Sequence, residues 1–194
     1  MKILAIETSC DDTCIAILEV KKNFKLLSNV VSSQVKIHKN YGGVYPTLAR
    51  REHQKNLIPV LKKSLVLAKL LQKRKKKQKI DFSKINIFLK REKNLLENLK
   101  KFFLNYKTPN IDFIAVTQGP GLEPCLWTGI NFAKALSFTW KKPLIPINHL
   151  EGHLLINFLN NSLFFKKKNQ IFPAIALIAS GGHTELVLIE KVKK

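Results

Sequence analysis

Two pairs of side chains in this sequence have the types and spacing for chemistry: His149 and His153 in NHLEGHLL, and Asp11 and Asp12 in TSCDDT. On a helix the two histidines lie about 40° apart, on one face, able to share a single metal ion, although histidines at this spacing are more often plain surface or core residues. A zinc peptidase needs a glutamate directly after the first histidine, to act on the metal-bound water. Here the order is His-Leu-Glu-Gly-His, and Glu151 falls about 200° from His149, on the opposite face. That excludes the peptidase. Asn148 and Glu151 instead have the N-cap to N3 spacing of a capping box. Gly152 in the first turn costs up to about 1 kcal/mol relative to alanine, so the expectation is that something packs close to the backbone there.

Asp11 and Asp12 sit in a turn between two apolar runs, KILAIE and TCIAILEV. Backbone N–H groups of such a turn can cup a phosphate and an aspartate can hold a metal or a hydroxyl, although Asp and Ser also favour ordinary surface turns. A second turn, IASGGHTE, covers Ile178, Ala179, Ser180, Gly181, Gly182 and His183. Its paired glycines admit a ligand to the backbone or serve the turn itself. His183 is open as ligand, acid or turn residue. TQGPGLEP follows a buried apolar run and precedes a helix, where α/β sheets bind ligands, but it lacks the Gly-Lys-Ser/Thr of a phosphate loop.

The elements that hold these turns follow from periodicity. The two apolar runs predict a hairpin, and FKLLSNVVSS a third strand. Pro46 is placed to open a long helix through TLARREHQKNLIPVLKKSLVLAKLL, with Pro59 kinking or breaking it. DFSKINIFLKREKNLLENLKKFFL reads as helical and strongly charged. IDFIAVTQ and KPLIPIN predict buried strands, with a helix, CLWTGINFAKALSFTW, between them. PAIALIAS and TELVLIE predict a last hairpin. Shifting by 171 residues lays Leu4, Ala5, Ile6 and Ser9 on Ile175, Ala176, Leu177 and Ser180, and Thr13, Ile15, Ile17 and Glu19 on Thr184, Leu186, Leu188 and Glu190. Turns of equal length anchored by Ser and Thr mark a duplicated unit whose second copy has only begun. The expected architecture is α/β, a lobe over 1–170 with a mixed sheet and flanking helices, then the first hairpin of a second lobe over 171–194.

Composition bounds the partners. The chain has 194 residues, 45% of them apolar, and neither a membrane-length apolar run nor a secretory leader pattern. A cytoplasmic protein that does not meet the membrane is the expectation. The odd count of cysteines (Cys10, Cys14, Cys125) makes a poor disulfide framework, so all three are expected reduced and mostly buried. Residues 62–107 hold sixteen Lys and Arg against three acids (Asp81, Glu92, Glu97), a net of +13 out of +21. Such a patch attracts polyanions such as RNA, or decorates a solvated insertion, expected over about 72–107.

IETSCDDT, SQVKIHKNYGGVYPTLARREH, GPGLEPCLWTG, NHLEGHLL and ASGGHTEL, taken together and in this order, resemble the tRNA N6-adenosine threonylcarbamoyltransferase family, once described as O-sialoglycoprotein endopeptidases. The resemblance implies a two-lobed actin, sugar-kinase and Hsp70-like fold, whose lobes are ribonuclease H-like. It implies transfer of a threonylcarbamoyl group from threonylcarbamoyl-adenylate to N6 of adenosine 37 in ANN-decoding tRNA, with release of AMP. It implies an iron or zinc ion on His149 and His153, adenylate binding by Ile178 to Gly182 with His183 beside them, and a part in activity for Asp11 and Asp12. It further implies a paralogous subunit and an ATPase subunit as partners. The family's third metal ligand, an aspartate in the second lobe, has no counterpart before Lys194, so the chain is expected to be an incomplete version, poorly active alone. The alternatives are a non-catalytic paralogue that scaffolds the same complex and an ATP-dependent kinase of the same superfold. A degenerate paralogue has no reason to keep both histidines, and a kinase has none to carry His-x-Glu-Gly-His.

Overall fold

The computed structural model describes residues 1–76, 79–158, 172–180 and 183–191, with the backbone alone for Phe158, Ser180 and His183. They form two units, Met1–Asn148 and His149–Lys194. The division falls before the expected boundary at 170/171, because the helix that carries the histidine pair lies against the last hairpin.

The first unit is built on five strands: β1 (Lys2–Glu7), β2 (Asp12–Val20), β3 (Phe24–Ser33), β4 (Phe113–Gly119) and β5 (Leu144–Asn148). Their order is β3-β2-β1-β4-β5. β1 pairs antiparallel with β2 and β2 with β3, while β4 lies parallel to β1 and β5 parallel to β4. This is the mixed sheet of a ribonuclease H-like lobe, as the resemblance implied. Strand alternation aims Leu4, Ile6, Ile15, Ile17 and Val30 at one face, where each is at most 5% exposed.

Helices cover that face. A short turn of helix, α1 (Val35–His38), leads to α2 (Pro46–Leu67), which packs on β2 and β3 and buries Leu57, Leu61 and Leu65 at helical spacing. Pro46 opens α2 as expected, but Pro59 does not break it. Pro59 lies on the exposed side, where solvent can serve the Lys55 carbonyl that its ring leaves unbonded. The charged stretch after α2 is two helices rather than one, α3 (Ser83–Phe88) and α4 (Lys93–Asn105). Nor is it only a solvated ornament. Ile85, Leu89, Leu95 and Leu99 are fully buried, α3 packs on α5 (Glu123–Trp140), and α4 packs on α2. Phe103 meets Trp140 edge-on with centroids 6.1 Å apart. The ends of the stretch are tied by backbone hydrogen bonds from Arg74 to Asn105 (2.8 Å) and from Lys107 to Gln72 (2.9 Å).

The second unit contains α6 (His149–Leu155) and the hairpin of β6 (Ala174–Ser180) and β7 (His183–Ile189). The hairpin repeats the first in register as well as in sequence. Leu4 pairs with Ile17 and Ile6 with Ile15; Ile175 pairs with Leu188 and Leu177 with Leu186, each position displaced by the same 171 residues. Burial is opposite. Ile175, Leu177, Leu186 and Leu188 are 61–75% exposed, where their counterparts are at most 2% exposed.

Candidate active site

Three segments of the first unit converge on the turn that carries Asp11 and Asp12. The Leu122 N–H donates to the Ser9 carbonyl (2.7 Å), and the Gln34 N–H to the Asp11 carbonyl (3.0 Å). The Thr8 hydroxyl donates to the Cys125 carbonyl (3.0 Å). Two glycines permit this approach. A Cβ at Gly121 would stand 2.6 Å from the Ser9 carbonyl oxygen, and one at Gly129 would stand 2.2 Å from Thr8 Oγ1. Gly121, the second glycine of the Gly-Pro-Gly turn, thus serves a backbone contact between the aspartate turn and the start of α5.

A buried chain of hydrogen bonds reaches the same turn from α2, and its directions fix both tautomers. The Tyr45 N–H donates to His38 Nδ1 (3.3 Å), so His38 carries its proton on Nε2 and donates it to Gln34 Oε1 (3.0 Å). Gln34 Nε2 lies 3.4 Å from His53 Nδ1, and the Thr13 hydroxyl 2.8 Å from it. His53 Nε2 lies 3.0 Å from the Cys10 carbonyl, which can only accept. His53 is therefore the neutral Nε2–H form, with Nδ1 accepting. Burial pushes its pKa down, against the pull of the Cys10 carbonyl and of Glu7, Asp11 and Asp12.

These positioning residues, with Glu7, were not singled out from the sequence. Glu7 accepts from the Ser9 N–H and from the Thr117 hydroxyl, tying the ends of β1 and β4. The only trace in the sequence was a carboxylate closing an apolar run. Gln34 and His53 lie nineteen residues apart, a separation that no local periodicity joins.

Asp11 and Asp12 are half-buried, and Asp12 Oδ1 is a buried oxygen with no hydrogen-bond partner among the described residues. An orphaned acceptor of this kind is costly unless a donor or cation serves it. The cysteines depart from expectation: Cys125 is buried, Cys14 half-buried and Cys10 exposed. Burial pushes the thiols of Cys10 up to about 11 and of Cys14 up to about 12, with Asp11 or Asp12 adding to the effect. Burial also takes Cys125 to about 12. None is a thiolate nucleophile near neutrality.

In the second unit α6 begins directly after Asn148, which leaves Asn148 at the N-cap position and Glu151 at N3. His149 and His153 converge, with their Nε2 atoms 3.0 Å apart and ring planes at 85°. Two imidazole nitrogens on one tetrahedral zinc ion, each about 2.0–2.1 Å from it, stand roughly 3.3 Å apart, close to the 3.0 Å of this Nε2–Nε2 hydrogen bond. The pair fits two ligands of one ion. Among the described residues no cluster of three His, Cys, Asp or Glu side chains completes such a site. Gly152 departs from expectation: a Cβ there would meet nothing within 4 Å among the described residues. In the second turn Ile178 pairs with Glu185, Ala179 with Thr184 and Ser180 with His183. Gly181 and Gly182 lie outside the described residues.

The sequence model of the family described as tRNA N6-adenosine threonylcarbamoyltransferase (TsaD) matches residues 25–77 and 92–194. The chain belongs to this family. Relatives of that name from Persephonella marina and Dictyoglomus turgidum are 43% and 44% identical over 98% and 99% of the chain. The chain covers 42% and 44% of their lengths, so it spans less than half of these relatives. A solved structure from Pseudomonas aeruginosa, an uncharacterized protein with similarity to peptidase YeaZ, superposes with a TM-score of 0.47 at 16% identity, over 82% of this chain and 49% of that one. The two matched stretches leave only 78–91 between them, and α4 lies inside the second stretch.

Proposed function

We propose that this chain supplies the first lobe of an enzyme that transfers the threonylcarbamoyl group of threonylcarbamoyl-adenylate to N6 of adenosine 37 in ANN-decoding tRNA. The observation that carries the reading is the convergence of His149 and His153 Nε2 on one point, within a chain of this family. His149 and His153 would hold the iron or zinc ion, which as a bound Lewis acid polarises a carbonyl.

The amine of adenosine attacks the carbamoyl carbon, the bond from that carbon to the phosphate oxygen breaks, and AMP leaves with the electron pair. Asp12, whose Oδ1 has no partner among the described residues, is assigned the proton that the amine loses, with Asp11 beside it. The backbone from Ile178 to Gly182, with His183, is assigned the adenylate. The His53 and Gln34 network holds the aspartate turn still, so that positioning contributes to the rate without any movement of the turn. β6 and β7 are assigned to a second copy of the lobe, on the support of their equal register, and the exposed apolar strip is the face that a helix equivalent to α2 would cover.

No helix among the described residues is long and apolar enough to cross a membrane; a cytoplasmic place of work is part of the reading through its tRNA substrate. A paralogous subunit and an ATPase subunit are the partners this reading carries.

A chimera tests it. Residues 2–190 replace the matching part of the Persephonella marina relative, and the chimera is given unmodified tRNA and threonylcarbamoyl-adenylate. Threonylcarbamoyladenosine should appear in the nucleoside digest, and should vanish with Asp12→Asn or His149→Ala. A folded chimera that makes none, beside an active parent, overturns the proposal.

A further inference from the structure

A cleft of about 580 Å³ lies where the α3–α4 junction faces the start of α5, walled by Arg50, Phe88, Lys90, Arg91, Glu92 and Trp127 among others. Phe88, Lys90 and Arg91 fall between the two stretches that the family's sequence model matches. Trp127 is 49% exposed, a large apolar surface left in water, with Lys134 Nζ 5.4 Å from its ring centroid. Lys90 and Arg91 are exposed.

Glu92 is the unusual group. It is 3% exposed, its Oε1 lies 3.9 Å from Arg50 Nη2, and its Oε2 is buried without a hydrogen-bond partner among the described residues. Arg50 also donates to the Arg91 carbonyl (3.3 Å), which fixes the guanidinium beside the carboxylate. Burial pushes the Glu92 pKa up, against Arg50 and Arg91. Glu92 lines the cleft, and a small rotation of its side chain would bring the unserved oxygen to a donor from the occupant.

An exposed indole, an unserved carboxylate oxygen and flanking cations are together the requirements of an unpaired nucleobase. The ring stacks on an aromatic side chain, a base amino group donates to a carboxylate, and neighbouring phosphates meet Lys and Arg. We propose that this cleft binds one unpaired base of a single-stranded RNA segment, stacked on Trp127 with its exocyclic amine donating to Glu92 Oε2, and with Lys90 and Arg91 on the flanking phosphates. The choice of RNA over other polyanions rests on the tRNA reading above. A polyanion without bases would have no use for Trp127 or Glu92.

The test is a titration of the chain with octa-adenylate and octa-uridylate, followed by tryptophan fluorescence. The other tryptophan, Trp140, is 4% exposed, so quenching reports Trp127. Trp127→Ala should weaken octa-adenylate binding about tenfold, while Trp127→Phe keeps most of it, both read by the fluorescence anisotropy of an end-labelled octamer because neither variant keeps the reporting indole. Lys90→Gln with Arg91→Gln should flatten the dependence of log K on log salt by roughly one to two. Glu92→Gln should narrow the preference for adenylate, since uridylate has no exocyclic amine. Undiminished binding by Trp127→Ala overturns the proposal, and so does equal quenching by inorganic polyphosphate. Self-association of the wild type that Trp127→Ala abolishes would make the cleft a protein interface, and overturns it too. Trp127-dependent binding beside an inactive chimera would retire the transferase reading and leave the cleft standing.

Discussion

A side-chain carbon on Gly121 would stand 2.6 Å from the Ser9 carbonyl oxygen, closer than any real Cβ contact. The obstacle is backbone, anchored by the Leu122 N–H at 2.7 Å, so neither partner can swing aside. Gly121→Ala should cost about 1–3 kcal/mol of stability, as overpacking does, with a lowered urea midpoint. Chemical shifts of Asp11 and Asp12 should move with it. A midpoint and spectrum like those of the wild type would show that the turn is held elsewhere.

His53 makes stability depend on pH. Its folded pKa lies below its ordinary value near 6.5, so between the two values the unfolded chain binds the extra proton. Its contribution is complete above about 6.5 and is lost as pH falls from there towards the folded pKa. Protonated Nδ1 would also confront the Thr13 hydroxyl and the Gln34 amide with a second donor. Urea midpoints of the wild type should therefore drop more steeply between about pH 7 and 5 than those of His53→Gln. The carboxylates are common to both proteins and cancel in the comparison. Parallel curves would remove His53 from the account.

The histidine pair predicts shared, non-additive metal binding. Equilibrium dialysis against zinc should show a loss of about tenfold or more in affinity for His149→Ala and for His153→Ala. The double variant should lose little beyond either single one, because two ligands of one ion fail together. Undiminished occupancy in either single variant removes the assignment.

Ile6 and Leu177 hold equivalent places in the two hairpins, yet one is 2% and the other 64% exposed. Ile6→Ala should cost about 2–5 kcal/mol, whereas Leu177→Ala should fall within about 0.5 kcal/mol of the wild type in this chain. Chemical denaturation of both variants checks the contrast. Equal costs would mean that the apolar strip of β6 and β7 is covered in solution.

The basic stretch predicts salt-dependent RNA binding. Lys75, Lys76 and Lys79 are exposed, and replacing all three by Gln leaves the backbone ties at Gln72 and Arg74 intact. The slope of log K against log salt for tRNA should flatten by roughly 0.7–0.9 for each phosphate that a lysine no longer neutralises. An unchanged slope would leave these lysines without a role in binding.

Much of this molecule is written in local pattern. Alternating apolar residues set β1 to β3, Pro46 set the start of α2, and the spacing of His149, Glu151 and His153 both excluded a peptidase and paired the imidazoles. The 171-residue repeat anticipated even the register of β6 on β7, because strand pairing follows the same alternation that the eye reads in sequence. Local pattern misjudged what depends on neighbours. Pro59 sits in an unbroken helix because its side of α2 meets water. The lysine-rich stretch enters the core because Leu95, Leu99 and Phe103 share one face of α4, whatever the charges on the other. Gly152 has open space beside it. The hydrogen-bond chain from Tyr45 through His38, Gln34 and His53 to the aspartate turn, and the cleft of Trp127 and Glu92, came only with the tertiary structure. Each joins residues far apart in sequence, and burial, which gives an unpartnered oxygen or a neutral imidazole its meaning, is a property of the packed molecule and not of any segment.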